Sequence, residues 1–149
     1  MYTSVLSASS GLAGVQKPTP LGEIPIMIGG AGPRTLELVA AYADWWNLPI
    51  YALDRLEALR PRTGKARTSV QQMVAWVPTE EQRDDVVSLA GRRFPNWDGM
   101  AIGTGLELVD RFRALQERGV ERIYVWFTDF GAPATVTAFG EQVIAEMGS

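Results

Sequence analysis

The sequence contains no cysteine and no histidine among its 149 residues. The first absence excludes disulfides, thiolate nucleophiles, iron–sulfur clusters and most structural zinc sites. The second excludes a Ser-His triad, an imidazole-bound metal, and any side chain that titrates unperturbed near neutral pH. For an enzyme made from this chain the expectation is that a cofactor carries the reactive chemistry. A basic surplus is missing too. The 14 Lys and Arg against 17 Asp and Glu leave a net charge of −3, with no excess to displace nucleic-acid counterions. No segment approaches the ~20 consecutive apolar residues of a membrane helix. The start, MYTSVLSASSGLAG, lacks the basic opening and apolar run of a secretory signal. The expectation is a cytoplasmic protein with neither nucleic-acid nor membrane partners. What is present is globular composition, 46% hydrophobic and 21% charged, sufficient for one domain that buries roughly two-thirds of its unfolded surface.

Residues 1–23 are rich in Ser, Gly and Pro and read as an irregular lead-in loop or hairpin, with the folded domain over 24–149. Ile24 to Ile28 is an apolar run closed by Gly29, Gly30, Ala31 and Gly32, as expected of a strand buried on both faces. Pro33 suits a first helical position, and Leu36, Val39, Ala40 and Ala43 form one helical stripe. Asp44 to Leu48 reads as a second strand, followed by a short helix over Leu53 to Leu59. Thr68 to Val77 reads as a third strand. Thr79 and Gln82 have capping-box spacing for a helix reaching Arg93, and residues 95–103 read as a loop. Thr104 and Glu107 form a second capping box, and Gly119 a C-cap. Arg122 to Phe127 is the fourth strand, and Pro133 to Met147 the last helix. Four βα units in series predict an α/β fold with parallel strands and right-handed crossovers. An open doubly wound sheet and half of an eight-unit barrel both fit. In either, the C-terminal ends of the strands form the functional rim.

The turn Ile28-Gly29-Gly30-Ala31-Gly32-Pro33-Arg34-Thr35 carries the strongest chemical signal. Its glycines let backbone amides approach a ligand, and the helix N-terminus behind them favours an anion. Arg34 and Thr35 add a charged and a hydroxyl contact for a phosphate. The dinucleotide fingerprint fails, because Thr35 stands at its third glycine, and no Gly-Lys-Ser/Thr completes a P-loop. The same glycines also suffice for a bare βα turn. Asp44-Trp45-Trp46-Asn47 places one tryptophan on each strand face. Asn47 there either contacts a heterocycle or substrate carbonyl, or only shapes the turn. Thr128 and Asp129 leave the last strand at the rim, with Asp129 read as a cap for the following helix. Arg60, Arg62, Lys65 and Arg67 read as a solvated basic loop. No carboxylate pair is spaced as an acid/base couple, so no catalytic residue is assigned.

The run IPIMIGGAGPRTLELVAAYADWWNLP, Ile24 to Pro49, resembles the luciferase-like monooxygenase family of flavin- and deazaflavin-dependent oxidoreductases. GTGLELVDRFRALQERGVERIYVWF, Gly103 to Phe127, is similar to that family's final helix–strand unit, and QKPTP to its proline-rich lead-in. The resemblance implies a TIM (β/α)8 barrel of which this chain matches the C-terminal half. It implies that Gly29, Gly30, Ala31, Gly32 and Arg34 hold the phosphate of a cofactor, either the deazaflavin coenzyme F420 or FMN, with Asn47 alongside. The sequence style of ELVAAYADWWN, with its many arginines, favours the deazaflavin. The implied partners are that cofactor and a small organic substrate. A half-barrel further implies a homodimer, an N-terminal half-barrel partner, or a piece of a longer product. Two other readings remain open, a non-catalytic half-barrel and a phosphate-ester-binding α/β domain.

Overall fold

The computed structural model describes residues 22–148. The expected lead-in over residues 1–23 therefore lies almost wholly outside the described residues. Five strands form one parallel sheet: β1 (Met27–Gly29), β2 (Trp45–Leu48), β3 (Arg67–Trp76), β4 (Ala101–Gly103) and β5 (Arg122–Phe127). Between them run α1 (Pro33–Tyr42), the short α2 (Leu56–Leu59), α3 (Arg83–Arg93) and α4 (Gly105–Glu117). After β5 come α5 (Pro133–Phe139), a π-helical segment (Gly140–Ile144) and a last turn, α6 (Ala145–Met147). Among the described residues no helix is long and apolar enough to cross a membrane.

β3 organises the sheet. Along one edge it pairs first with β2, from Trp45↔Arg67 to Leu48↔Val70, and then with β4, from Val74↔Ala101 to Trp76↔Gly103. Along the other edge it pairs with β5 from Ser69↔Arg122 to Val74↔Phe127. β1 lies outside β2. Strand alternation then separates two faces. Trp46, Leu48, Val70 and Val74 point to the helices and join Leu36, Val39, Leu108 and Phe112 in the core. Met27, Trp45, Ser69, Met73, Tyr124 and Trp126 share the opposite face, the one that a half-barrel would make concave.

Four sequence expectations change. The first strand is shorter than Ile24 to Ile28 and is not buried on both faces: Ile26 and Met27 are 43% and 39% exposed. It is an edge strand beside an open face, so only Ile28 packs against the core. The loop expected over residues 95–103 ends in a strand, β4, because β2 stops at Leu48 and leaves the upper edge of β3 to be paired. The capping box at Thr79 does not form. A 3-10 turn over Glu80–Gln82 intervenes, and the helix starts at Arg83, whose guanidinium binds Glu80 at 2.6 Å and Glu107 at 2.7 Å. The basic cluster is solvated only in part: Arg62 and Lys65 are exposed as expected, but Arg60 and Arg67 are engaged. Arg60 donates to the Arg118 carbonyl, and Arg67 pairs with Glu121 at 2.7 Å while lying over the Trp45 ring.

Other signals hold. Glu107 accepts hydrogen bonds from the Thr104 N–H at 2.8 Å and hydroxyl at 3.1 Å, closing the expected box at the start of α4. Gly119, at φ 84°, lets Val120 N–H reach back to the Leu115 carbonyl at 3.0 Å. A Cβ there would strike the Arg60 guanidinium, so the position needs glycine for space as well as for φ.

The gap between β2 and β4 on the β3 edge is spanned by a buried amide. Gln72 donates to the Gly99 carbonyl at 2.6 Å and the Met73 carbonyl at 3.0 Å, while Arg111 approaches its Oε1 at 3.4 Å. Gln72→Met would leave the Met73 carbonyl unpaired inside the protein and the Gly99 carbonyl with only the longer Arg111 bond at 3.5 Å. It is expected to cost about 1–3 kcal/mol, read as a lower urea midpoint with the far-UV spectrum retained.

Candidate functional site

The glycine turn sits at the C-terminal end of β1, on the rim. Gly30 adopts φ 132°, and a Cβ on it would lie 2.9 Å from Thr35 Cγ2. Its N–H donates to the Asn47 carbonyl at 3.1 Å, and its carbonyl accepts the Trp46 indole N–H at 2.8 Å. Gly30 is thus fixed by β2 on both sides and cannot be replaced without breaking the turn. Gly32 differs. Its backbone is ordinary extended (φ −76°, ψ 153°), and the nearest atom to an added Cβ is Thr35 Oγ1 at 3.9 Å. The small residue there leaves open space in front of the helix.

α1 begins with an electrostatic vacancy. Helical bonding starts only with Leu36 N–H to the Gly32 carbonyl at 3.0 Å, so the N–H groups of Arg34 and Thr35 have no carbonyl within the helix. No side chain caps this end, and its first turn carries no acidic residue. The partial positive charge of the helix start is therefore uncompensated on the rim, with exposed Arg34 beside it.

The structure brings Gly29, Gly30, Ala31, Gly32 and Asn47 together through the β1–β2 ladder. The Asn47 side chain lies on the concave face, its Nδ2 3.7 Å from Met27 Sδ, and its carbonyl is the part that holds the turn. Arg34 is exposed in the first turn of α1. Asp129 is not the expected cap, since Ala132 holds that position of α5 and no side chain caps it; instead Asp129 braces the preceding turn, Oδ1 accepting the Gly131 N–H at 3.0 Å and Oδ2 the Thr135 hydroxyl at 2.6 Å.

Sequence reasoning missed an aromatic group at the same rim. Trp126, leaving the concave face, meets Trp97 edge-on at 5.4 Å and Phe94 at 6.5 Å, and Phe94 meets Phe130 at 6.2 Å. Phe130 is 73% exposed and holds φ 64°, which a side chain rarely adopts. Arg93 lies over its ring and donates to the Thr128 carbonyl at 2.9 Å. Phe94 and Trp97 lie in a segment that no periodicity marks. At the other end of the concave face, Trp45 is covered by the guanidinium groups of Arg122 at 3.8 Å and Arg67 at 4.3 Å.

No family model matches the sequence, and no curated protein matches it. Solved structures do. An F420-dependent secondary alcohol dehydrogenase in complex with an F420–acetone adduct matches 87% of this chain with a TM-score of 0.61 at 17% identity. Apo-MsnO8 matches 85% with 0.62 at 11% identity. A coenzyme F420-dependent tetrahydromethanopterin reductase from Methanopyrus kandleri matches 83% with 0.56 at 15% identity. The likeness is one of fold. The chain spans about half the length of these structures, 51%, 52% and 51% respectively.

Two separate exposed ion clusters brace the sheet, one at the rim and one at the opposite ends of the strands. The Arg83 guanidinium, helped by the Thr104 N–H, holds the Glu107 carboxyl at about 2, below its ordinary 4.5. Arg118 does the same for Glu57, also to about 2. A carboxyl whose folded pKa is depressed stabilises above its unfolded pKa and loses that contribution as pH falls towards the folded value. The stabilisation from these groups is therefore present above about pH 4.5 and is lost between there and about pH 2. In thermal melts across that window, Glu107→Gln should show a shallower fall in Tm than the unmodified chain. Equal slopes would remove Glu107 from the acid response.

Proposed function

We propose that this chain supplies the cofactor-phosphate-binding rim of a luciferase-like oxidoreductase that uses a deazaflavin. The observation that carries the reading is the start of α1: an uncapped, acid-free helix N-terminus at the end of a parallel strand, with open space at Gly32. A phosphate there would accept from the free N–H groups of Arg34 and Thr35, with Gly29, Gly30 and Ala31 shaping the approach. Arg34 contributes long-range attraction, and Asn47 orients the turn through its carbonyl. Two of the matching structures are described as F420-dependent, which favours the deazaflavin over FMN. When bound, the deazaflavin supplies two-electron hydride chemistry to a small organic substrate.

The four main strands make half of an eight-stranded parallel barrel in this reading, in a cytoplasmic enzyme. The chain's own part is to bind and orient: the phosphate at α1, and one wall of the rim from Trp97, Trp126 and Phe130. No residue of the rim is given a proton-transfer role.

The decisive substitution is Gly32→Asp. Aspartate is a better N-cap than glycine and fits the φ and ψ of this position, so the melting temperature should hold or rise. Its carboxylate would occupy the place of the phosphate. Binding of a deazaflavin, followed by quenching of the tryptophan fluorescence, is expected to weaken at least tenfold, about 1.4 kcal/mol. Unchanged binding would remove the α1 start from the site. Binding by neither form would favour the non-catalytic half-barrel. Gly30→Val is the poorer test, because its clash with Thr35 disturbs the turn directly.

A further inference from the structure

We propose that the two free edges and the concave face of this sheet are a self-complementary interface, and that a second copy of the same chain closes it into an eight-stranded parallel barrel. The inference goes beyond the cofactor reading and does not rest on it. Four long-edge strands, β1, β2, β3 and β5, lie side by side, all parallel, with the outer edges of β1 and β5 unpaired among the described residues. A two-fold axis along the barrel would set β5 of each copy beside β1 of the other, with every strand still parallel. Closure at two copies gives the strand number at which side chains fill such a barrel.

The register follows from the sheet itself. The strands climb from β1 to β5: Gly29 is level with Ser69 through Asn47, whereas Phe127 is level with Val74. An eight-stranded barrel of this kind closes with a shear of about eight residues, hence about four for each half. Continuing the climb by that amount puts Tyr124 beside Met27 of the second copy, and Trp126 beside Gly29 of the second copy. Both pairs fall on the concave face, and the second sets the largest side chain against the smallest. On the helix side, Ile123 falls beside Ile26 of the second copy, and Val125 beside Ile28.

The surfaces suit those pairings. Ile26, Met27, Tyr124 and Trp126 are 43%, 39%, 38% and 39% exposed in the single chain. Ile123 and Val125 line an apolar groove of about 410 Å³ between β5, α4 and the final helix. Covering that groove with the exposed Ile26 of the second copy would remove from water an apolar surface that otherwise invites association. Charge agrees as well. Arg122 opens β5, and the same offset places Glu23 of the second copy one pleat below the residue opposite it, on the same face. The two edges thus differ in sign where they meet, and each chain brings one of each.

The test is the mass of the full chain in solution, by light scattering on a sizing column at micromolar concentration. The expected value is twice 16.3 kDa. Tyr124→Lys, which sets a charge on the concave face, should give the monomer. Arg122→Glu and Glu23→Arg should each raise the dimer dissociation constant at least tenfold, and the double exchange Glu23→Arg/Arg122→Glu should restore it. Circular dichroism reports whether each variant is folded, and Glu23→Arg alters only an exposed residue ahead of β1. A monomeric chain, an open-ended assembly, or a dimer indifferent to Tyr124→Lys and to the charge changes would overturn the proposal. None of these outcomes bears on the deazaflavin titration of Gly32→Asp.

Discussion

β3 is a ten-residue strand with three parallel neighbours, and the placement of every other element follows from how its two edges are shared. On one edge β2 takes the lower half and β4 the last three positions, while β5 occupies the other edge alone. Parallel ladders need both faces covered to be comfortable, and here one face is covered throughout and the other only in part. The helices bury Leu48, Val70 and Val74 completely, while on the concave face Ser69, Met73 and Trp45 are buried but Met27, Tyr124 and Trp126 keep partial contact with water. That asymmetry gives the molecule a front and a back. The front carries the rim, the aromatic group and the open edges together.

The candidate anion site depends on this frame through a single indole. Trp46 is fully buried among the helix-facing residues, yet its N–H reaches the Gly30 carbonyl at 2.8 Å. The core therefore holds the turn from behind, the Asn47 carbonyl holds it from the side, and the N–H groups at the start of α1 are left free. A buried indole needs a partner, and taking it from the turn satisfies both groups at once. A preorganised anion site of this kind asks little reordering of its ligand.

Much of this was legible in the chain. The pattern of Ile24 to Ala43 marks a strand, a glycine turn and a helix, and the residues of Arg122 to Phe127 coincide with β5. Thr104, Glu107 and Gly119 announce the ends of α4 because capping is local chemistry. What escaped is non-local. The sequence around Ile102 gives no sign of a strand, since β4 exists only because β2 is too short to cover the edge of β3. Thr79 meets the spacing rule for a cap, but Arg83 takes both Glu80 and Glu107, and the helix starts later. Arg60 and Arg67 look like loop charges until α4 and β5 bring them the Arg118 carbonyl and Glu121. Trp97 reaches Trp126 through a turn whose course no spacing rule encodes.

The sheet also sets an order of assembly. Trp46 finds Thr68 across twenty-two residues, whereas Ser69 finds Arg122 across fifty-three. Loop closure makes the second pairing the costlier by about 0.8 kcal/mol, roughly fourfold in the rate of a first encounter. The β1–β2–β3 ladder can therefore form while the opposite edge of β3 is still bare. During that interval the strand with the longest buried run in the protein offers an unpaired parallel edge to any neighbouring chain. The same long crossover that delivers α3, the aromatic segment and α4 to the rim thus makes β5 the slowest ladder to close, and crowding during synthesis the condition under which misassociation competes with it.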